Sequence, residues 1–155
     1  MFKIGFGYDV HCLVPERKLI LGGVAIDYHL GLAGHSDADV LTHAVMDALL
    51  GAAGQGDIGQ HFPDSDQKYK DVNSLLLLDQ VMHIIKQSKL KVSNVDTVIV
   101  AQHPKLAPYR HQMETNLAQI IQAPVNVKAT TTEGLGFTGR GEGIAAYATV
   151  LLYAE

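Results

Sequence analysis

The sequence predicts an α+β domain in which a mixed β-sheet carries its helices on one face. Three observations carry that prediction. The opening residues alternate in polarity with the period of a strand, residues 95–129 run strand, helix, strand, and residues 144–153 form a strand with two largely apolar faces.

Taken in order, the first element is the clearest. Phe2, Ile4, Phe6, Tyr8 and Val10 fall on one side of it, and Lys3, Gly5, Gly7, Asp9 and His11 on the other, because successive strand side chains point to opposite faces. Residues 17–24 read as a second strand broken by Gly22 and Gly23, a hairpin partner of the first. Ser36 or Asp37 is placed to cap a helix with Val40, Leu41, Ala44, Val45, Ala48 and Leu49 as its apolar face, and Gly51 and Gly54 mark its end. Residues 54–70 have no periodicity and read as a long loop, of a length more often functional than idle in a compact domain. A second helix is predicted over residues 72–89 and a β-rich run over 95–101. Pro108 suits the first turn of a third helix whose buried stripe is Met113, Leu117, Ile120 and Ile121, ended by Ala123 and Pro124. Residues 125–129 form a short strand, and residues 144–153 the last and longest one.

The βαβ unit over residues 95–129 makes its two strands parallel with a right-handed crossover. The final strand returns after a glycine-rich loop. The result is a mixed four-stranded sheet with helices on one face and a β-hairpin extension, as in ferredoxin-like α+β folds. No repeat or linker divides residues 1–155, so a single domain is expected. Along the last strand Ala145, Tyr147, Thr149, Leu151 and Tyr153 alternate with Ile144, Ala146, Ala148, Val150 and Leu152. Neither set is suited to water, and the face without helices predicts an obligate homo-oligomer.

Composition narrows the function classes. At 155 residues, 47% hydrophobic and 18% charged, the chain has enough apolar material for a core and reads as an ordinary soluble protein. A net charge of -4 without a basic run argues against nucleic acid as a partner. Apolar runs such as residues 75–78 are too short to span a membrane. One cysteine, Cys12, excludes an internal disulfide framework, and with no signal-like start it points to the cytoplasm. Cys12 itself reads as a small apolar residue.

Three segments carry chemistry. Asp9 and His11 project from one strand face beside Gly5 and Gly7, which leave space there, and His43 lies one helical turn after Asp39, where it can face the same strand. A carboxylate and two imidazoles with a vacant fourth position suit a catalytic divalent ion such as zinc. Singly, Asp9 reads as a turn residue, His11 as a strand-end polar group and His43 as a core histidine; the paired spacing is what favours the joint metal site. The second segment runs from Lys128 to Gly143. Thr130, Thr131, Thr132 and Glu133 at a strand end can bind phosphate oxygens and hold a hard cation such as magnesium. The plainer alternatives are an edge strand for the threonines and a flexible turn for residues 134–143. The third is Ala101, Gln102, His103, Pro104, Lys105, Leu106 and Ala107, where a parallel strand leads into a helix and ligands often bind. Lys105 supplies a charge for phosphate there, or is a solvated lysine in a connecting loop.

Together these segments resemble the 2-C-methyl-D-erythritol 2,4-cyclodiphosphate synthase family of the non-mevalonate isoprenoid pathway. The matching pieces are residues 7–11, residues 35–40, Asp57-Ile58-Gly59, Phe62-Pro63-Asp64, Ala101-Gln102 with Pro104-Lys105, and residues 126–143, in the family's order. Ala38 stands where many members have glycine. The resemblance implies a homotrimer with active sites between subunits and the substrate 4-diphosphocytidyl-2-C-methyl-D-erythritol 2-phosphate. The 2-phosphate attacks the β-phosphorus of the diphosphate, closing a ring and releasing CMP. It also implies zinc (Zn2+) on Asp9, His11 and His43, and a second ion, Mg2+ or Mn2+, on Glu133. His35 and Thr131 become transition-state stabilisers. Asp9, Val10, His11, His35 and Ser36 contact the substrate, and Asp57, Ile58, Gly59, Phe62, Pro63, Asp64, Ser65 and Asp66 line the erythritol phosphate pocket. Ala101 to Ala107 and Thr130 to Thr132 receive cytidine and its phosphates, with Phe137 and Arg140 nearby; His103 has no side-chain role. An isoprenoid in an apolar cavity on the threefold axis also follows from the resemblance. A zinc phosphohydrolase and a non-catalytic metal- or isoprenoid-binding trimer are the alternatives to the cyclase.

Overall fold

A computed structural model describes residues 1–154. In chain order its elements are β1 (Phe2–Pro15), β2 (Leu19–Leu21), β3 (Val24–Ile26), β4 (Leu30–Leu32), α1 (Val40–Ala53), α2 (Ile58–His61), α3 (Ser74–Gln87), β5 (Leu90–Val100), α4 (Arg110–Ile121), β6 (Val125–Thr130), α5 (Gly136–Gly139) and β7 (Gly143–Ala154). The fold is α+β with a mixed sheet, as expected, but the sheet has five strands in the order β4-β1-β7-β5-β6. Four of these are the predicted ones. The fifth, β4, is a three-residue edge strand, antiparallel to the end of β1, too short to show a period.

The first strand is longer than the last, 14 residues against 12, which reverses the expected ranking. The glycine pair does not interrupt a partner of β1. Gly22 and Gly23, at φ 55° and 72°, form a two-residue turn between β2 and β3, which pair only with each other. The long loop contains α2 and a single 3₁₀ turn, Gln67–Tyr69. β5 and β6 are parallel as predicted, and β7 lies antiparallel between β1 and β5.

The covered face departs from the expectation at its two glycines. Gly5 and Gly7 do not leave space. A Cβ on Gly5 would stand 1.9 Å from the Ala48 carbonyl oxygen, and one on Gly7 1.9 Å from that of Ala44. Helix α1 therefore lies with its backbone on β1, and its small residues Ala44 and Ala48 are fully buried at the contact. α3 and α4 extend this layer through Leu77, Leu78, Val81, Met113 and Leu117, all in the core. The opposite face of the sheet exposes Phe2, Ile4, Phe6, Tyr8, Val10, Tyr147 and Tyr153.

The cap of α1 is Asp39, not Ser36 or Asp37. Its carboxylate accepts from Thr42 N (3.0 Å) and Thr42 Oγ1 (2.8 Å) of the first turn, and from Gly22 N and Gly23 N (2.9 and 2.8 Å) of the hairpin. One fully buried side chain thus docks the β2–β3 turn onto α1. Ala38, just before it, has a φ of 56°, a conformation that costs a non-glycine residue about 1–2 kcal/mol and that glycine adopts freely. Asp39→Ala is expected to destabilise by about 2–4 kcal/mol, the lost cap and a buried Gly22 N–H left without a partner adding together. Thermal unfolding at fixed protein concentration should show a drop of roughly 5–15 °C.

Candidate metal centre and pocket

The close approach of α1 to β1 sets three side chains face to face. Asp9 and His11, two residues apart on β1, share the face that α1 covers, and His43 lies in the first turn of α1. Asp9 Oδ2 is 2.9 Å from His11 Nε2 and 3.0 Å from His43 Nδ1, and the two ring nitrogens are 3.2 Å apart. Donors about 2.0–2.1 Å from a tetrahedral ion lie about 3.3 Å from one another, so the triangle has the size such an ion requires. It is the one group of three or more potential histidine, cysteine or carboxylate ligands among the described residues.

The ring nitrogens that face away from the triangle also fit a metal. His11 Nδ1 donates to the Ala33 carbonyl at 2.8 Å, which leaves Nε2 with a lone pair toward Asp9. His43 Nε2 lies 3.1 Å from Ser36 Oγ and 3.0 Å from Ser74 Oγ. Metal-binding histidines are held in this way, through the nitrogen that does not bind.

Without a metal, burial pushes the Asp9 carboxyl up, but hydrogen bonds that the His11 and His43 rings give it when charged outweigh this and hold the group well below the ordinary carboxylate range. For His11, burial disfavours the charged ring, yet the hydrogen bond and charge of Asp9 prevail and raise its pKa. Without a metal, the stability that His11 contributes is full below about pH 6.5, where the unfolded imidazole is charged, and is lost as pH rises through the raised folded value. Chelator-treated protein should therefore lose thermal stability as pH rises above about 6.5, measured by calorimetry. Zinc should bind more tightly across the same interval, because it no longer competes with a proton on His11.

The triangle forms part of the wall of a cavity of about 580 Å³ that also includes His35, Ser36, Ile58, Gly59, Phe62, Pro63 and Asp64. The structure thus brings these predicted residues together within one chain. His35 Nε2 donates to the Asp66 carbonyl at 3.0 Å, tying the wall to the loop. Asp57 lies just outside as the exposed cap of α2, Ser65 is exposed beyond the wall, and Val10 faces the open side of the sheet. Gly34, Met46, Tyr69 and Leu77 complete the lining. Sequence reasoning missed them, since a core methionine and leucine look alike whether or not a cavity lies beside them.

A second cavity of about 320 Å³ gathers Ala101, Gln102, Pro104, Lys105, Leu106, Ala107, Thr130 and Thr131, with Arg110 and Ala129. His103 is not in its lining. The Gln102 side chain accepts from Gly134 N at 3.1 Å, joining this loop to the one that carries exposed Glu133. Thr132 turns inward to the Leu135 carbonyl and Thr138, and Arg140 pairs with Glu142 near exposed Phe137. The register Asp9–Ala146–Ile99–Ala129 runs straight across β1, β7, β5 and β6. At about 4.8 Å per strand, Asp9 and Ala129 stand on strands about 14 Å apart in one chain.

The chain is similar in sequence and fold to known proteins. Residues 2–153 match the model of the YgbB family. A 2-C-methyl-D-erythritol 2,4-cyclodiphosphate synthase from Geobacillus sp. (strain WCH70) is 61% identical, over 98% of both chains. The bifunctional IspDF of Campylobacter jejuni superposes with a TM-score of 0.96 at 44% identity, covering 100% of this chain, which spans 43% of that longer protein. IspF of Plasmodium falciparum, solved as a CDP complex, superposes with a TM-score of 0.87 at 32% identity, over 99% of this chain and 97% of that one.

Proposed function

The chain belongs to the YgbB family, with relatives that are cyclodiphosphate synthases, and from that premise we propose how its residues perform the cyclisation. It is a lyase-type enzyme forming 2-C-methyl-D-erythritol 2,4-cyclodiphosphate. The substrate is 4-diphosphocytidyl-2-C-methyl-D-erythritol 2-phosphate. An oxygen of the 2-phosphate attacks the β-phosphorus, the bond from that phosphorus to the CMP oxygen breaks, and CMP leaves with the electron pair.

The observation that carries this proposal is the Asp9–His11–His43 triangle opening onto a cavity large enough for a folded sugar phosphate. Those three residues hold zinc, and Glu133 holds a magnesium or manganese ion. The ions supply positive charge to the diphosphate oxygens, which lowers repulsion between two phosphate groups. His35 is held by donation from Nε2 to the Asp66 carbonyl, and with both ring nitrogens protonated it can also donate from Nδ1 to a phosphate oxygen. Ile58, Gly59, Phe62, Pro63 and Asp64 fold the erythritol chain back and exclude water. Thr130, Thr131 and Lys105 receive the nucleotide phosphates, while residues 101–107 receive cytosine. The reaction is intramolecular and asks mainly for positioning, which accounts for the absence of an assigned serine or cysteine nucleophile.

A homotrimer with shared sites is part of the proposal. Two features support it: the aromatic open face of the sheet, and the separation of about 14 Å between strands that bear the metal ligands and those that bear the threonines. One diphosphate cannot bridge that distance within a chain, whereas a neighbouring chain can bring its own nucleotide loop to the metal. An isoprenoid in the axial cavity fits the same apolar face, and the single cysteine fits a cytoplasmic setting. No helix among the described residues is long and apolar enough to cross a membrane.

The test is incubation with the diphosphocytidyl substrate, zinc and magnesium, followed by phosphorus NMR and product mass. A cyclic diphosphate with equimolar CMP is expected. A linear product one water heavier would make this a phosphohydrolase and overturn the proposal.

A further inference from the structure

The metal ligand His43 has a second set of partners that the cyclisation mechanism does not use. Its Nε2 faces Ser74 Oγ at 3.0 Å, and Ser74 is fully buried at the first residue of α3. The Ser74 hydroxyl in turn donates to Asp37 Oδ1, and Asp37 Oδ2 accepts from the Ser74 backbone N–H at 3.0 Å. Counting protons decides the direction of this chain. A serine hydroxyl has one proton, and here the Asp37 carboxylate takes it. Only lone pairs remain on Ser74 Oγ for His43, so Nε2 must carry the ring proton and donate it. A neutral imidazole with its proton on Nε2 has a lone pair on Nδ1, the atom that faces Asp9 and His11.

We infer that Ser74 and Asp37 are positioning residues for metal binding, setting the His43 tautomer and ring orientation through a carboxylate–hydroxyl–imidazole chain. The inference rests on the metal assignment proposed above. Ser36 Oγ is a weaker candidate for the same role, because it already accepts from Ala38 N and its own proton has no fixed partner. A hydroxyl whose proton is held by a carboxylate is also the better acceptor, since polarisation passes along the chain. The geometry has a mechanical consequence as well. Asp37 N donates to the Val72 carbonyl at 3.1 Å and Asp71 N to the His35 carbonyl at 2.8 Å. The start of α3 and the end of the preceding loop are thereby fastened to the segment that holds His35 and to the ligand His43.

The test compares purified wild type with Ser74→Ala, Ser74→Thr and Asp37→Asn. Zinc dissociation constants are measured by chelator competition, the visible spectrum after cobalt(II) loading is recorded, and thermal stability is measured with and without metal. Ser74→Ala should weaken zinc binding about 10- to 100-fold and change the cobalt spectrum. Ser74→Thr, which keeps the hydroxyl, should restore most of the affinity. Asp37→Asn keeps one acceptor oxygen of the two and loses the charge, so it cannot accept from both Ser74 N and Ser74 Oγ, and should give a smaller loss in the same direction. Zinc affinity within about twofold of wild type in Ser74→Ala, with an unchanged cobalt spectrum, would overturn the inference and leave the metal assignment standing. The inference also fails if Ser74→Ala lowers only the stability of the metal-free protein. Wild type that binds neither ion would instead remove the metal assignment, and the inference with it.

Discussion

Gly7→Ala should damage this protein far more than the addition of one methyl group suggests. Replacing glycine by alanine in a compatible strand position stabilises by about 0.4–1 kcal/mol, through the unfolded chain. Here the new Cβ would meet the Ala44 carbonyl oxygen at 1.9 Å and the Ala48 backbone nitrogen at 2.8 Å. Those atoms belong to a helix backbone and cannot turn aside as a flexible side chain would. Overpacking of a core costs about 1–3 kcal/mol, occasionally more, and a clash with backbone belongs at or above the upper end of that range. The net effect is a loss of at least about 2 kcal/mol, or roughly 4–8 °C in unfolding temperature. Relief of the clash moves α1 outward, and His43 moves with it away from Asp9 and His11. Gly7→Ala should therefore bind zinc poorly even where it remains folded. Calorimetry and metal analysis on the same preparation check both parts. Normal stability and a full complement of zinc would show that α1 does not depend on bare backbone at this position.

His11→Ala should abolish activity while leaving the fold in place. His11 lies at the rim of the core, partly exposed, and its ring is held by Asp9, His43 and the Ala33 carbonyl. Losing it removes one of the three ligands proposed for zinc. Charge stabilisation by a catalytic ion is worth several kcal/mol in the transition state, so kcat should fall by at least about 1,000-fold. Circular dichroism and sedimentation should match the wild type, because the open face of the sheet is untouched. Activity within about tenfold of wild type in metal-depleted His11→Ala protein would remove zinc from the mechanism.

The two experiments probe one site from different directions, and they differ in how far the sequence foretold them. The alternation of residues 2–11 was enough to place Asp9 and His11 on one face, because a strand has a period of two whatever surrounds it. The helical period put His43 in a first turn able to reach them. The threonines at the end of β6 and Lys105 just beyond the end of β5 were legible for a related reason: a parallel βαβ unit delivers both strand ends to the same edge of the sheet. Gly5 and Gly7 were misjudged, since a missing side chain looks the same in a sequence whether it leaves a space or admits a helix. The cap was also misplaced. Ser36, Asp37 and Asp39 are all capable cap residues, and only the position of the β2–β3 turn favours the third, by offering its carboxylate two further N–H donors.

By itself, the order of residues determined which chemical groups this protein possesses and which of them local periodicity aligns: two candidate metal ligands on a strand, one on a helix, hydroxyls and a lysine at strand ends. Only the tertiary structure decided that the three candidate metal ligands meet within 3.2 Å, that Ser74 and Asp37 stand behind His43, and that the threonine pocket lies three strands from them in the same chain. The physical reason is that local periodicity extends over a few residues. The spacing between β1 and α1 is set by a long-range contact, the absence of two side chains where one backbone rests upon another.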